Sequence, residues 1–238
     1  MRVAVMSDIH GFNLALETVL ADLDGQGPFD DVVVAGDLCE VGPAPAAVID
    51  LVRARDFVVL QGNTDLDIVV AAREGGGSEE EAYAIEQIGE AGLEYLAGLP
   101  FSRRITPPGG RSPDDDLLVV HANPHNLTDK LDPNLSDGEL KKIIGDTRAA
   151  AIAFGHIHIC YVRNLDGMLL VGVSAVGNPK DGDLRCKYGI LTWDEGDRSW
   201  QAELRKLDYP LEATAAQILA SGLPDPEKTL RKLMRASY

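Results

Sequence analysis

An α/β fold is predicted by alternating apolar strands and amphipathic helices at the start of the chain and by further alternating strands towards its end. The early strands are predicted at residues 3–6, 32–35 and 57–60, with helices between them at 12–23 and 45–55. This βαβαβ order predicts a parallel sheet, because strands linked by crossover helices run in the same direction. The later strands are predicted at 168–176, 189–193 and 200–207, where short turns favour an antiparallel second sheet.

The middle of the chain adds a helix and a hairpin. Helical periodicity over residues 79–99 follows three glycines at 75–77, and a small helical cap within 72–100 is one interpretation. A turn rich in proline and glycine separates two extended stretches between residues 103 and 120, which suits a hairpin.

The second half of the chain ends in helices. Ser136 and Glu139 form a capping box, which predicts a short helix before a buried strand at 149–154. Further helices are predicted within 211–237. The whole chain, 1–238, is predicted to form a single domain, since 238 residues that are 45% apolar can bury one core.

Charge and cysteine usage narrow the functional classes. The formal net charge is −16 and the pI is about 4.6, so the electrostatic field disfavours nucleic acid as a partner. The apolar run at residues 1–6 is too short for a signal peptide or a membrane span, so the cytoplasm is the expected compartment and no membrane partner is expected. The 3 cysteines are isolated in sequence and are expected to be reduced thiols.

Metal-binding side chains follow the predicted strands at the points where those strands end. The residues concerned are Asp8, His10, Asp37, Asn63, His121, His156 and His158. The chain has only 5 histidines, and all except His125 belong to this set. Carboxyl ends of strands are where α/β sheets form their sites, and residues two apart in an extended segment project to the same side. We therefore expect these side chains to converge on one site.

The ordered set resembles the motifs of the calcineurin-like metallophosphoesterase superfamily, which run D-x-H, G-D, G-N-H-[DE], H and G-H-x-H. The resemblance implies a four-layer αββα sandwich with two mixed β-sheets and two divalent metal ions that share one carboxylate. By position, Asp37 is the shared ligand. The first metal ion would be completed by Asp8, His10 and His158, and the second by Asn63, His121 and His156. These imidazole, carboxylate and amide donors suit manganese, iron, zinc or nickel.

The mechanism that the resemblance implies uses metal-activated hydroxide for in-line attack on phosphorus. The candidate catalytic residues are Asp37, Asn63, Thr64, His121 and His125. The superfamily usually has histidine after the asparagine, where it stabilises the transition state or protonates the leaving oxygen, but Thr64 stands here. A hydroxyl is a poor proton donor at neutral pH, so a substrate with a good leaving group, such as a phosphoanhydride, is predicted. His125 could replace the missing acid, or could simply be a surface-loop histidine.

Four other residues have both functional and ordinary interpretations. Asp65 could orient Asn63 or simply cap a turn. Lys180 and Arg185 could bind phosphate or be solvated loop charges. Cys39 could bind a soft metal, although packing as a small hydrophobe is favoured.

The predicted function is hydrolysis of a phosphoanhydride or phosphodiester in a phosphorylated small molecule, with nucleotides as the leading class. Residues 176–183 are similar to a loop in a small bacterial and archaeal branch of the superfamily, which includes diadenosine polyphosphate hydrolases. The alternatives are a phosphodiesterase for aryl or cyclic nucleotide diesters, a serine/threonine phosphoprotein phosphatase and a non-catalytic metal-binding scaffold. A homodimer through an edge strand or the C-terminal helices is left open.

Overall fold

Two five-stranded mixed β-sheets form the centre of the fold in the computed structural model, which describes residues 1–237. The strands are β1 (Arg2–Met6), β2 (Asp31–Val34), β3 (Val58–Val59), β4 (Ser102–Ile105), β5 (Leu117–Val120), β6 (Ala151–Phe154), β7 (Cys160–Leu165), β8 (Met168–Val173), β9 (Cys186–Asp194) and β10 (Ser199–Leu207). The helices are α1 (Asn13–Gln26), α2 (Pro45–Arg53), α3 (Asn63–Glu74), α4 (Glu79–Ala97), α5 (Asp137–Ile144), α6 (Leu211–Ala220) and α7 (Pro226–Arg235). None of the helices in the described part of the chain combines the length and apolar character that a membrane crossing requires.

The first sheet has the strand order β10-β9-β1-β2-β3. Strands β1, β2 and β3 are parallel, as the βαβαβ pattern predicts. Strands β9 and β10 are antiparallel to their neighbours, but they extend this sheet, so their predicted place in a separate second sheet is wrong. The crossovers through α1 and α2 put β2 and β3 on one side of β1, which leaves its other edge available to pair with β9.

The second sheet has the order β4-β5-β6-β8-β7. Strands β4 and β5 form the predicted hairpin, and β7 pairs antiparallel with β8. Strand β6 is parallel to both β5 and β8. Both sheets are therefore mixed, and the α/β class is confirmed.

Three apolar clusters define four layers. Between the sheets, Val5 and Leu60 on the side of the first sheet belong to one cluster with Val119 and Val171 of the second. Trp193 and Trp200 are buried in the same cluster. The outer face of the first sheet is covered by α1–α4, α6 and α7, and that of the second sheet by α5. This alternation buries both faces of each sheet and produces the expected αββα sandwich.

Helices α3 and α4 belong to the same outer layer. Tyr83 and Leu96 of α4 are buried in the core beneath that layer. Helix α3 is absent from the sequence prediction because its apolar side chains do not form a single stripe: Ile68 and Val69 are buried, whereas Leu66 and Val70 are exposed.

Candidate metal centre

The candidate ligands follow the carboxyl ends of five strands, in loops or, for Asn63, at the first residue of α3. Asp8 follows β1, Asp37 follows β2 and Asn63 follows β3, while His121 follows β5 and His156 follows β6. Each of these strands runs parallel to a neighbour in its own sheet. Parallel strands end at one edge, so their loops meet there.

Five of the candidate ligands adopt left-handed backbone conformations. The φ angles are 55° at Asp8, 52° at His10, 58° at Asp37, 63° at His156 and 55° at His158. Few non-glycine residues occupy this region, and such conformations persist at functional sites where the surrounding structure enforces them.

Asp8, His10, Asp37 and His158 form a first cluster, and one possible ligand atom of each lies within 4.8 Å of those of the others. His158 Nε2 lies 3.1 Å from Asp8 Oδ1 and 3.2 Å from His10 Nε2. His10 Nε2 also lies 3.6 Å from Asp37 Oδ2. All four residues are buried.

Asp37, Asn63, His121 and His156 form a second cluster on the other side of the Asp37 carboxylate. His121 Nε2 lies 3.5 Å from Asp37 Oδ1 and 3.0 Å from Asn63 Oδ1. The imidazole rings of His121 and His156 are in edge contact, with their centroids 5.1 Å apart. The two oxygens of Asp37 thus face different clusters.

Backbone carbonyl groups orient the histidine rings. His10 Nδ1 contacts Glu40 O at 3.0 Å, and His121 Nδ1 contacts Ala35 O at 2.8 Å. His158 Nδ1 contacts the Asn178 carbonyl oxygen. Because a carbonyl oxygen only accepts, each of these Nδ1 atoms must carry the proton, and in the neutral ring Nε2 presents a lone pair to the cluster.

The fourth histidine uses the opposite tautomer. His156 Nε2 contacts Thr128 O at 3.0 Å, so Nδ1 is left as the unprotonated nitrogen of the neutral ring. Outer partners of this kind fix ring orientation in metal sites.

The first cluster fits a metal cation, and the second presents the same kinds of donor atom. Neutral His10 and His158 direct two lone pairs at each other, and Asn63 Oδ1 faces the lone pair of His121. Asp8 Oδ1 is buried without a hydrogen-bond partner, although the other oxygen of this carboxylate accepts the His156 N–H at 2.9 Å. Opposed acceptors in a buried site repel unless a proton or a cation lies between them.

The pKa values of Asp8, His158 and His10 also indicate that the first cluster favours a positive charge. Burial would raise the pKa of Asp8, but His158 lowers it well below its usual range. Burial would lower the pKa of His158, yet Asp8 raises it. At His10, burial dominates and lowers the pKa to about 4. The carboxylates therefore attract a cation, while His10 is held in the neutral form that metal ions require.

Asp65 connects the loops that carry Asp37 and Asn63. Its fully buried carboxylate accepts N–H groups of Asp37 and Leu38, both at 2.8 Å, and of Gly62 at 2.9 Å. Burial, and next the charge of Asp37, raise the pKa of Asp65 to about 7. Asp65 is a capping residue that also ties together two ligand loops, which combines both sequence-based interpretations.

Of the predicted catalytic residues, Thr64 contacts Asp37 of the clusters, whereas His125 is bonded elsewhere. The Thr64 N–H donates to Asp37 Oδ1 at 3.0 Å, while the buried Thr64 Oγ1 has no partner. His125 Nε2 instead contacts Ile144 O at 2.9 Å, at the end of α5, so this nitrogen is a donor engaged away from the clusters.

Arg185, Cys39 and Lys180, for which the sequence left two interpretations open, have different environments in the structure. Arg185 forms a two-pronged ion pair with Asp183, at 2.9 and 2.7 Å, so its charge is already neutralised. Cys39 is buried in the apolar core beneath the helices, as favoured from sequence. Lys180 Nζ donates to Asn178 Oδ1 at 3.0 Å and forms no ion pair among the described residues.

Comparison with known proteins decides the family. The model of the calcineurin-like phosphoesterase superfamily domain matches residues 1–196. The chain belongs to this superfamily. A metallophosphoesterase from Sphaerobacter thermophilus, solved by crystallography, aligns with 25% identity and a TM-score of 0.75 over 99% of this chain and 100% of that one.

Two curated relatives also match the chain. An uncharacterized protein from Methanocaldococcus jannaschii is 26% identical over 244 residues, which cover 94% of each chain. A symmetrical bis(5′-nucleosyl)-tetraphosphatase from Acidovorax sp. (strain JS42) is 33% identical over 128 residues, or 51% of this chain and 44% of the relative. The match therefore spans less than half of that enzyme.

Sequence reasoning did not identify the groups that orient the histidines. Glu40, Ala35, Thr128 and Asn178 act through their backbone carbonyl oxygens, which are common to all residue types. No side-chain signal could have revealed them.

Proposed function

We propose that the chain is a binuclear metal-dependent phosphoesterase. The observation that carries the proposal is the position of Asp37, whose Oδ2 lies 3.6 Å from His10 Nε2 and whose Oδ1 lies 3.5 Å from His121 Nε2. A carboxylate with one oxygen towards each cluster is suited to be shared by two metal ions. The proposed ligands are Asp8, His10, Asp37 and His158 for one ion, and Asp37, Asn63, His121 and His156 for the other.

Bound divalent metal ions would polarise phosphoryl oxygens and lower the pKa of a coordinated water. The chain's own contribution is to fix the tautomer and the orientation of each proposed histidine ligand through a backbone carbonyl oxygen. Asn63 and His156 are the half-buried members of the second cluster, while His121, whose Nε2 lies 3.0 Å from Asn63 Oδ1, is buried behind them. A phosphoryl group that reaches the second cluster would therefore meet Asn63 and His156 first.

The substrate class follows from Thr64. Its Oγ1 can donate a hydrogen bond, but a hydroxyl gives up its proton too reluctantly to assist a departing alkoxide. We propose nucleotides with a phosphoanhydride bond, of the diadenosine polyphosphate type, because their leaving group is a phosphate of low pKa. The partial similarity to a bis(5′-nucleosyl)-tetraphosphatase supports the same class.

Parallel assays test this function. Protein reconstituted with manganese, iron, zinc or nickel is given diadenosine tetraphosphate, bis(p-nitrophenyl) phosphate and p-nitrophenyl phosphate. Asp37→Asn should abolish turnover, whereas the matched change Asp146→Asn, at an exposed residue, should not. Preference for the anhydride supports the proposal, preference for the diester or the monoester favours a phosphodiesterase or a phosphatase, and no turnover with any metal indicates a scaffold.

Thr64→His tests the leaving-group argument. Restoring a proton donor should raise kcat/KM on alkyl phosphate esters, by up to about 10²-fold, and change anhydride cleavage much less. Thr64→Val is the matched control, because it removes the hydroxyl without adding an acid. An equal effect of Thr64→His on both substrate classes would contradict the link between Thr64 and substrate choice.

A further inference from the structure

The loop after β8 is hydrogen-bonded to the backbone of two residues of the first cluster, one of which is His158. The Gly177 N–H donates to Asp8 O at 3.0 Å, and the Lys180 N–H donates to His158 O at 2.9 Å. Asn178 accepts from the His158 ring through its carbonyl and from Lys180 Nζ through its side chain. The Lys180 ammonium is therefore two hydrogen bonds away from the imidazole of a proposed metal ligand.

Helix α7 brings a second cation to the same loop. The Gly182 N–H donates to Ala236 O at 2.8 Å, directly after the last turn of α7. Lys232 precedes Ala236 by four residues and so lies on the same face of the helix, one turn earlier. Its charge is close enough to Lys180 to lower the pKa of that half-buried amine, although burial has the larger effect.

Neither lysine is neutralised by an ion pair among residues 1–237. The other cations around the loop are in ion pairs. Arg185 pairs with Asp183, Lys206 contacts Asp183 at 3.3 Å and Lys187 contacts Asp181 at 3.0 Å. Glu80, the acid whose charge reaches Lys232, is itself paired with Lys228 at 3.2 Å.

Two like charges held near each other without an anionic partner are unfavourable. Their position is notable because the formal net charge of the chain is −16, so that unpaired positive charge beside the site runs against the protein's overall field.

We propose that Lys180 and Lys232 form an anion subsite for the phosphate chain of the substrate beyond the phosphoryl group that is attacked. The inference rests on the proposed function, and it names a polyphosphate chain as the group that is recognised. A chain of several phosphates carries negative charge at repeated short intervals, which is the pattern that a metal site with two neighbouring ammonium groups would recognise. A phosphate monoester or a diaryl diester offers no such extension.

Titration with inorganic tripolyphosphate tests the subsite without any turnover. EDTA-treated wild type, Lys180→Gln, Lys232→Gln and the matched control Lys206→Gln are compared by isothermal titration calorimetry at low salt. Each of the two subsite changes should weaken binding about five- to tenfold, while Lys206→Gln changes it less than about twofold, because that charge is already paired. Lys180→Arg should restore most of the affinity and show that charge, and not loop integrity, is responsible.

The kinetic arm separates a nucleotide from free polyphosphate as the ligand. For Lys180→Gln and Lys232→Gln, the ratio of kcat/KM for diadenosine tetraphosphate to that for bis(p-nitrophenyl) phosphate should fall about tenfold, mainly through KM. Tripolyphosphate binding with an unchanged ratio would assign the subsite to free polyphosphate and overturn its role in substrate recognition.

Failure of the inference and failure of the proposed function give different results. Wild type that cleaves no anhydride refutes the function, and the calorimetric arm still decides the lysines. Wild type that cleaves diadenosine tetraphosphate, with both variants binding tripolyphosphate as Lys206→Gln does, refutes the subsite alone.

Discussion

The buried side chain of Lys187, at the start of β9, holds together the loop that supports His158 and Lys180. Its side chain is only 1% accessible, and Nζ donates to Asp181 Oδ1 at 3.0 Å, Asp183 O at 2.6 Å and Arg185 O at 3.0 Å. Lys187→Met keeps the aliphatic stem and removes the charge. All three acceptors then lose their donor, and the Asp181 carboxylate, whose Oδ2 already has no partner, loses its cation.

The magnitude follows from burial. Removing one partner of a buried ion pair costs roughly 3–5 kcal/mol, because the remaining charge is left without compensation. Asp181→Asn should cost less, about 1–2 kcal/mol, since Lys187 retains both carbonyl acceptors. The double variant should be more stable than the sum of the single losses predicts, by at least about 1 kcal/mol, because the stranded carboxylate is absent.

The assay is urea unfolding of the EDTA-treated proteins at neutral pH, followed by circular dichroism. Lys206→Met is the control, since it removes a lysine of β10 whose ion pair with Asp183 of the same loop is partly exposed, with 36% and 23% of the two side chains accessible. That change should cost at most about 1 kcal/mol. Equal destabilisation by Lys187→Met and Lys206→Met would refute the reasoning.

Three further predictions concern the site loops, the surface and the metal ions. Gly62→Ala should lower metal affinity at least about tenfold in a metal titration, because an added Cβ would lie 2.1 Å from Asp37 Oδ1; Gly138→Ala, where the Cβ meets nothing within 4 Å, should leave the affinity unchanged. Burial would raise the pKa of Asp22, but hydrogen bonds from Arg205 and Tyr188 outweigh burial and lower this pKa below 3.8. The stability that Asp22 adds relative to Asp22→Asn should therefore be complete at neutral pH and shrink as the pH falls below that value; a difference that grows in urea unfolding at about pH 3 would contradict it. Chelation should lower the melting temperature of metal-loaded protein, since an ion at 100 times its Kd stabilises the native state by about 2.7 kcal/mol.

Much of the architecture is predictable from local patterns. Strands β1, β2, β5 and β6 are continuous apolar runs, and the Ser136 capping box correctly starts α5. Strand β7 is missing from the prediction because its exposed positions alternate irregularly on an edge strand. Sheet membership of β9 and β10 is also beyond local patterns, since it depends on which edge the earlier crossovers leave free.

The chain's sequence determines which chemical groups reach the site, because the histidines and carboxylates directly follow parallel strands whose ends share one edge. Tertiary structure alone decides how those groups are used. Carbonyl oxygens of distant loops set the tautomers of His10, His121 and His158, and folding places the two oxygens of Asp37 between two clusters. The pairing of Arg185 and the unpaired charge of Lys180 likewise arise only from folding, because they depend on contacts that residue type does not encode.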